Sequence, residues 1–170
     1  QQTGFWLVGQ ARPEKVGILW FGTDDAATSP LTPVYVTSTE VPYCLQEGNG
    51  SMLEYSDDSM FWITNRVAQF AYLRYNTVGK HVREYVDKWE NKMLELVPAM
   101  DAKIGSAKNP KQAVKVATEL TVANAQTLFN IWVDLDKYMM VKYIDGNVKG
   151  EDENGFIGNG NGKDIPGKIE

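Results

Sequence analysis

Phe5-Trp6-Leu7-Val8 and Val16-Gly17-Ile18-Leu19-Trp20-Phe21, separated by the polar Gln10-Ala11-Arg12-Pro13-Glu14-Lys15, are the stretches on which the fold turns. Two short apolar runs joined by a polar connection with a proline read as an antiparallel hairpin. Both runs are apolar at nearly every position, so both faces of both strands are expected to be covered. Pro33-Val34-Tyr35-Val36-Thr37 is a third, β-branched and aromatic run. It follows a polar loop, residues 22–30, that carries the adjacent carboxylates Asp24 and Asp25. Residues 38–56, with Pro42 and Gly48-Asn49-Gly50, read as irregular.

The apolar pattern then becomes helical. Asp57-Asp58-Ser59 offers N-cap candidates for a helix over residues 60–75, whose apolar positions surround most of its circumference. Asn76-Thr77-Val78-Gly79 is expected to end it. A second helix carries Val82, Val86, Trp89, Met93, Leu96 and Met100 at steps of four and three, which makes one stripe. Pro98 falls inside it and is expected to kink or end the helix. Asn109-Pro110 is a strong start signal, with Asn as N-cap and Pro at the first helical position. The third helix runs to about residue 143 on the stripe Ala113, Ala117, Leu120, Asn124, Leu128, Ile131, Leu135, Tyr138 and Val141, with Asn124 as a satisfied buried amide. Strands within residues 4–37 followed by helices within residues 59–143 make an α+β class. Residues 145–170 hold seven glycines, four asparagines and six acids against three lysines, and are expected to be a flexible acidic tail distinct from the unit spanning residues 1–144.

Composition excludes several functions. The 170 residues have a net charge of −5 and no basic run, which argues against a nucleic-acid or anionic-membrane partner. No apolar run approaches the ~20 residues of a membrane helix. One cysteine and one histidine, Cys44 and His81, exclude an internal disulfide, a Cys-rich zinc site and a multi-His metal centre. Cys44 reads as an inert structural thiol, and His81 as a solvated surface residue. Asp145-Gly146-Asn147 and Asp152-Glu153-Asn154-Gly155 mix oxygen ligands with glycine, but neither register fits a calcium loop, since the twelfth position from Asp145 is Phe156. Gly158-Asn159-Gly160-Asn161-Gly162 lacks the strand and helix that a phosphate loop needs. Asp24 and Asp25 can bind an amine or hold a turn. Arg66, inside an apolar helix, needs a carboxylate, and Asp25 is the expected partner in a structural ion pair.

The wording of three segments goes further. Gly17-Ile18-Leu19-Trp20-Phe21-Gly22-Thr23-Asp24-Asp25-Ala26, then Asn65-Arg66-Val67-Ala68-Gln69-Phe70-Ala71-Tyr72-Leu73-Arg74-Tyr75, then Asp87-Lys88-Trp89-Glu90 resemble, in this order, the C-terminal part of the dipeptidase A family of cysteine peptidases. The resemblance covers roughly residues 4–145. It implies an αββα sandwich of the N-terminal-nucleophile hydrolases. It also implies a thiolate nucleophile on an N-terminal cysteine, whose own α-amine is the base, with dipeptides as substrate and no metal or cofactor. Residue 1 is Gln, and Cys44 has no α-amine to offer, so no residue here matches the nucleophile. The chain is therefore expected to be a C-terminal piece, inactive alone, whose partner is an upstream segment of the same protein. Candidate substrate-binding residues are Gln10 and Arg12 after the first strand, and Asp24, Asp25 and Ser29 after the second. The alternative expectation is a non-catalytic helical interaction domain that forms a homo-oligomer.

Overall fold

A computed structural model of the chain describes residues 3–144 and 148–157. Strands β1 (Phe5–Gln10), β2 (Ile18–Thr23) and β3 (Thr32–Tyr35) form one antiparallel sheet in that order. Val8 faces Trp20, and Trp20 faces Pro33 across the register. Helices α1 (Met60–Leu73), α2 (Lys80–Gly105) and α3 (Pro110–Tyr143) follow, and α3 packs on α1, α2 and β3. The fold is α+β. No helix is long and apolar enough to cross a membrane among the described residues.

The core lies where α3 meets the other helices and the sheet. Ile18, Tyr35, Val67, Val82, Val86, Trp132, Leu135 and Met139 are essentially inaccessible to solvent. The α3 stripe is rotated from the expected one. Thr118, Thr121, Ala125, Trp132 and Met139 face inward, while Val141 is exposed. Asn124 lies at the border, with its amide on the Met100 sulfur. The rotation has a polar cause at the outer edge of β3. Alternate residues of an antiparallel edge strand point their N–H outward. Leu31 donates to Glu90 Oε1 at 3.0 Å, Pro33 has no N–H, and Tyr35 donates to Thr121 Oγ1 at 3.1 Å. Just beyond, Thr39 N–H donates to Thr118 Oγ1 at 3.0 Å. The buried threonines are acceptors for a strand edge, so polar side chains belong to the interior here.

β2 is covered as expected, but β1 is not. Phe5, Leu7 and Val8 are 61%, 50% and 49% exposed; β1 is the outermost strand, and no other described strand pairs with its outer edge. Other local expectations shift for identifiable reasons. Ser59 occupies the N-cap position of α1 without a side-chain capping bond, whereas Asn109 does cap α3, accepting from Gln112 N–H at 3.0 Å. Residues Tyr75–Gly79 form a π-type turn, so α1 passes into α2 with little interruption. α2 runs through Pro98, which is exposed, as is Leu94 four residues before it, so the carbonyl left without a partner can be hydrated. The buried face of α2 continues through Val97, Met100 and Ile104, and Leu96 faces outward. Within the segment expected to be a flexible tail, β4 (Glu151–Asp152) and β5 (Gly155–Phe156) form a hairpin. Glu151 accepts from Tyr138 and Lys142, and Phe156 lies against the Tyr138 ring. Asp145-Gly146-Asn147 and Gly158-Asn159-Gly160-Asn161-Gly162 fall outside the described residues.

Candidate functional site

The β1–β2 hairpin separates the expected site residues into two groups. Arg12 sits at the connection end. Its guanidinium grips Asp101 of α2 through two bonds, at 2.8 and 3.0 Å, and also donates to the Val16 carbonyl. Tyr35 Oη donates to the same carboxylate at 3.2 Å, and Lys15 approaches it at 3.6 Å. Both members of the Arg12–Asp101 pair are about 10% exposed, and the guanidinium is committed to Asp101 and the Val16 carbonyl, which anchors the hairpin connection on α2. Gln10, nearby, accepts from Trp20 Nε1 at 2.9 Å. Asp24, Asp25 and Ser29 lie at the other end of the hairpin. The five steps from Phe5 to Gln10 place roughly 17 Å between the two groups. One pocket cannot use both groups as direct ligands of a dipeptide.

The chemistry concentrates at the Asp24 end. β2 stops at Thr23, and Asp24 turns the chain with φ = 64°, in the left-handed region that Asp tolerates better than most residues. Its N–H donates to Gly4 O at 2.9 Å, its side chain is fully buried, and Asn65 Nδ2 of α1 donates to Oδ1 at 3.2 Å. Asp25 does something else. It closes its own turn, accepting from Ala27 N–H at 3.2 Å and from Thr28 Oγ1 at 3.4 Å on the carboxylate. Its carbonyl accepts from Thr28 N–H, Ser29 N–H and Ser29 Oγ. Ser29 Oγ in turn accepts from Trp6 Nε1 at 3.1 Å, which ties β1 to the turn. A Cβ on Gly22 would come within 2.5 Å of that indole nitrogen and 2.9 Å of the Pro30 carbonyl, so only glycine lets Trp6 cross here.

The expected Asp25–Arg66 pair is replaced. Arg66 reaches Asp136 of α3 at 2.8 Å and Tyr55 Oη at 2.9 Å, because successive residues of α1 point about 100° apart and, of this adjacent pair, Asn65 is the one that faces the Asp24 turn. Burial pushes the Asp136 carboxyl above the ordinary range, against the pull of Arg66. Tyr72, two turns further along α1, was not among the expected residues. Its hydroxyl lies beside Asp25, and desolvation, followed by the Asp25 and Asp24 carboxylates, pushes it up to about 12. It is a neutral donor at physiological pH. The signal available in the sequence was its spacing, seven residues after Asn65, on the same face of the helix.

A cavity of about 280 Å³ opens next to this turn. Phe5 and Phe21, stacked with ring centroids 6.0 Å apart, form one side, and Leu45, Met52 and Phe61 form the other. Thr23 and Gly4 line it at the Asp24 end. The wall, drawn mostly from the residues 38–56 expected to be irregular, is laced by side chains. Asn49 Nδ2 donates to the Tyr43 and Asp58 carbonyls, Ser56 Oγ donates to Asn49 Oδ1, and Trp62 Nε1 donates to the Ser51 and Glu54 carbonyls. Gly50, at φ = 80°, lies where a Cβ would press on Ser56 and the Glu54 carbonyl.

Neither Cys44 nor His81 belongs to a nucleophilic pair. Cys44 is 3% exposed, and burial pushes its thiol up to about 11. His81 is half-buried rather than solvated, with Nδ1 2.7 Å from Tyr143 Oη and its ring against Tyr138. Burial and Lys142 lower its pKa. Among the described residues no group of three His, Cys, Asp or Glu side chains could hold a metal ion. The family model of peptidase family C69 matches residues 1–88, which include all three sheet strands, the Asp24 turn and α1. No curated protein matches the chain at a significant level.

Proposed function

The chain belongs to peptidase family C69, and from that premise we propose that it forms part of a dipeptidase whose nucleophile is an N-terminal cysteine lying outside these 170 residues. The observation that carries the reading is the family match over the sheet and the Asp24 turn. The state of the chain's single thiol supports it. Cys44 is internal, buried and protonated at neutral pH, with neither an α-amine nor a neighbouring base to activate it. The bare outer edge and exposed apolar side chains of β1 support strand addition there by the upstream segment, which would complete the sandwich. In the assembled enzyme the α-amine takes the thiol proton as the sulfur attacks the peptide carbonyl, that proton passes to the departing amine as the C–N bond breaks, and water then hydrolyses the thioester to free the enzyme.

This chain supplies the amine end of the site. Asp24, fully buried and held by Asn65, and the half-buried Asp25 beside it are the carboxylates proposed to meet the free ammonium of a dipeptide. Thr28 and Ser29 hold the turn that presents them. Purified alone, the chain should release no amino acids from dipeptides. Turnover by it that is lost on Cys44→Ser would overturn the reading. In the full-length enzyme, Asp24→Asn should remove a charged hydrogen bond of about 1.5–3 kcal/mol. That corresponds to roughly a ten- to hundredfold rise in KM for dipeptides. A lower melting temperature with KM unchanged would reassign Asp24 to the structure of the turn.

A further inference from the structure

We propose that the chain joins copies of itself head to tail, with the Met52-Leu53 tip of one copy seated in a groove along the N-terminal half of α3 in the next. The contact goes beyond the dipeptidase reading and does not depend on it.

The tip is an unusual turn. Ser51 and Glu54 exchange both backbone hydrogen bonds, at 2.8 and 3.2 Å, so Met52 and Leu53 are the two corner residues. Turn corners are ordinarily built of Gly, Pro, Asn, Asp or Ser. Here they are apolar, and they stand in water at 75% and 99% exposure. The backbone beneath them is fixed. Leu53 N–H donates to Ser51 Oγ, and the Trp62 indole donates to the Ser51 and Glu54 carbonyls. A rigid apolar projection gives up little conformational freedom when a partner buries it.

The same chain carries a matching concavity. Val114, Thr118 and Val122, at steps of four along α3, line a groove of about 580 Å³. That volume falls in the ~300–1,000 Å³ range that encloses a drug-sized ligand, enough for two adjacent side chains.

Charge assigns the occupant. Residues 38–58, which carry the tip, hold five acids and no base. Residues 102–118, which form the turn from α2 into α3 and the start of the groove, hold four lysines and no acid. Glu40 and Glu119 also line the groove, so its excess positive charge stands at the α2–α3 turn, where Lys108 precedes Lys111 and Lys115. Glu119 draws on Lys115 only weakly, at 3.8 Å with both side chains more than half exposed. The N-terminus of α3 adds the positive end of a helix dipole. An acidic tip and a basic groove attract, whereas two tips or two grooves repel. The contact is therefore between unlike surfaces, and it repeats from copy to copy into a ring or an open chain.

The test runs on the 170-residue chain with Leu7→Lys in every sample, so that pairing through the open edge of β1 does not contribute. Sedimentation velocity should show the mean mass rising with concentration, and rising less at high ionic strength. Leu53→Asp at the tip, and Lys111→Glu with Lys115→Glu at the groove, should each weaken association about tenfold or more. All three positions are exposed, so folding is unaffected. The decisive sample mixes the two variants. One keeps an intact groove and the other an intact tip, so each is weak alone, yet together they should form a one-to-one pair that grows no further. Monomers at every concentration, association that neither variant weakens, or a mixture no heavier than its components would each overturn the contact. In the first case the tip is left to a different occupant, such as the upstream segment.

Discussion

Along β3 the outward N–H groups of Leu31 and Tyr35 end on Glu90 and Thr121, and Pro33 between them has none to offer. Along β1 nothing comparable is present. Phe5-Trp6-Leu7-Val8-Gly9-Gln10 carries no charge and no proline, and no described residue pairs with its outer edge. Proteins blunt an edge strand that must stay an edge with charges, prolines or covering elements. One edge here has a proline and a helix cover, and the other has none of these devices. The contrast marks β3 as the edge where the sheet stops and supports adding further strands at β1. It also explains why β2 is buried while β1, of nearly the same composition, is not.

The largest expected effect tests what fastens the closed side. Asp101 of α2 holds Arg12 from the hairpin connection and Tyr35 from β3 in one nearly buried carboxylate. Asp101→Ala strands the Arg12 guanidinium and should cost about 3–5 kcal/mol in chemical denaturation. A loss under about 1 kcal/mol would mean that the helix cover, not this anchor, sets the geometry of the closed side. Next in size is the seal itself. Thr121→Val keeps the shape and removes the acceptor of a fully buried N–H, at about 1–3 kcal/mol. Thr121→Ser should restore most of it. If valine and serine behave alike, the bond from Tyr35 is incidental and the contrast between the edges weakens.

These same residues show what could be read from the sequence. The hairpin, the third strand, the start of α3 at Asn109-Pro110 and the α+β class were legible because each rests on local signals: apolar runs, β-branching and a cap. The face of α3 was not. Thr118 and Thr121 count as polar in any periodicity, and only the unpaired edge of a strand some eighty residues earlier makes them interior. The Asp24-Asp25 pair stood out in the sequence, but not its division of labour. That depends on a left-handed backbone at Asp24 and on Asn65 rather than Arg66 facing it. Arg12 had the chemistry of a substrate ligand, and its commitment to Asp101 is a contact between distant parts of the chain that no spacing reveals.

The smallest effect on stability carries the most information about the open edge. Leu7 lies midway along β1, half exposed, opposite Phe21 in the register. Leu7→Lys removes little that is buried, so the melting free energy of the 170-residue chain should change by no more than about 0.5 kcal/mol. Its consequence should appear in association instead. An uncharged strand edge with apolar side chains on both faces pairs readily with another such edge, and one lysine is enough to discourage it. Light scattering behind a sizing column should show the wild-type chain self-associating as its concentration rises and the lysine variant shifted toward monomer. The same substitution in the full-length enzyme discriminates between the two uses of β1. If the edge is filled by the protein's own upstream strands, the lysine should hinder their docking and lower activity. If the edge serves copies of the chain, activity should persist while the oligomer is lost.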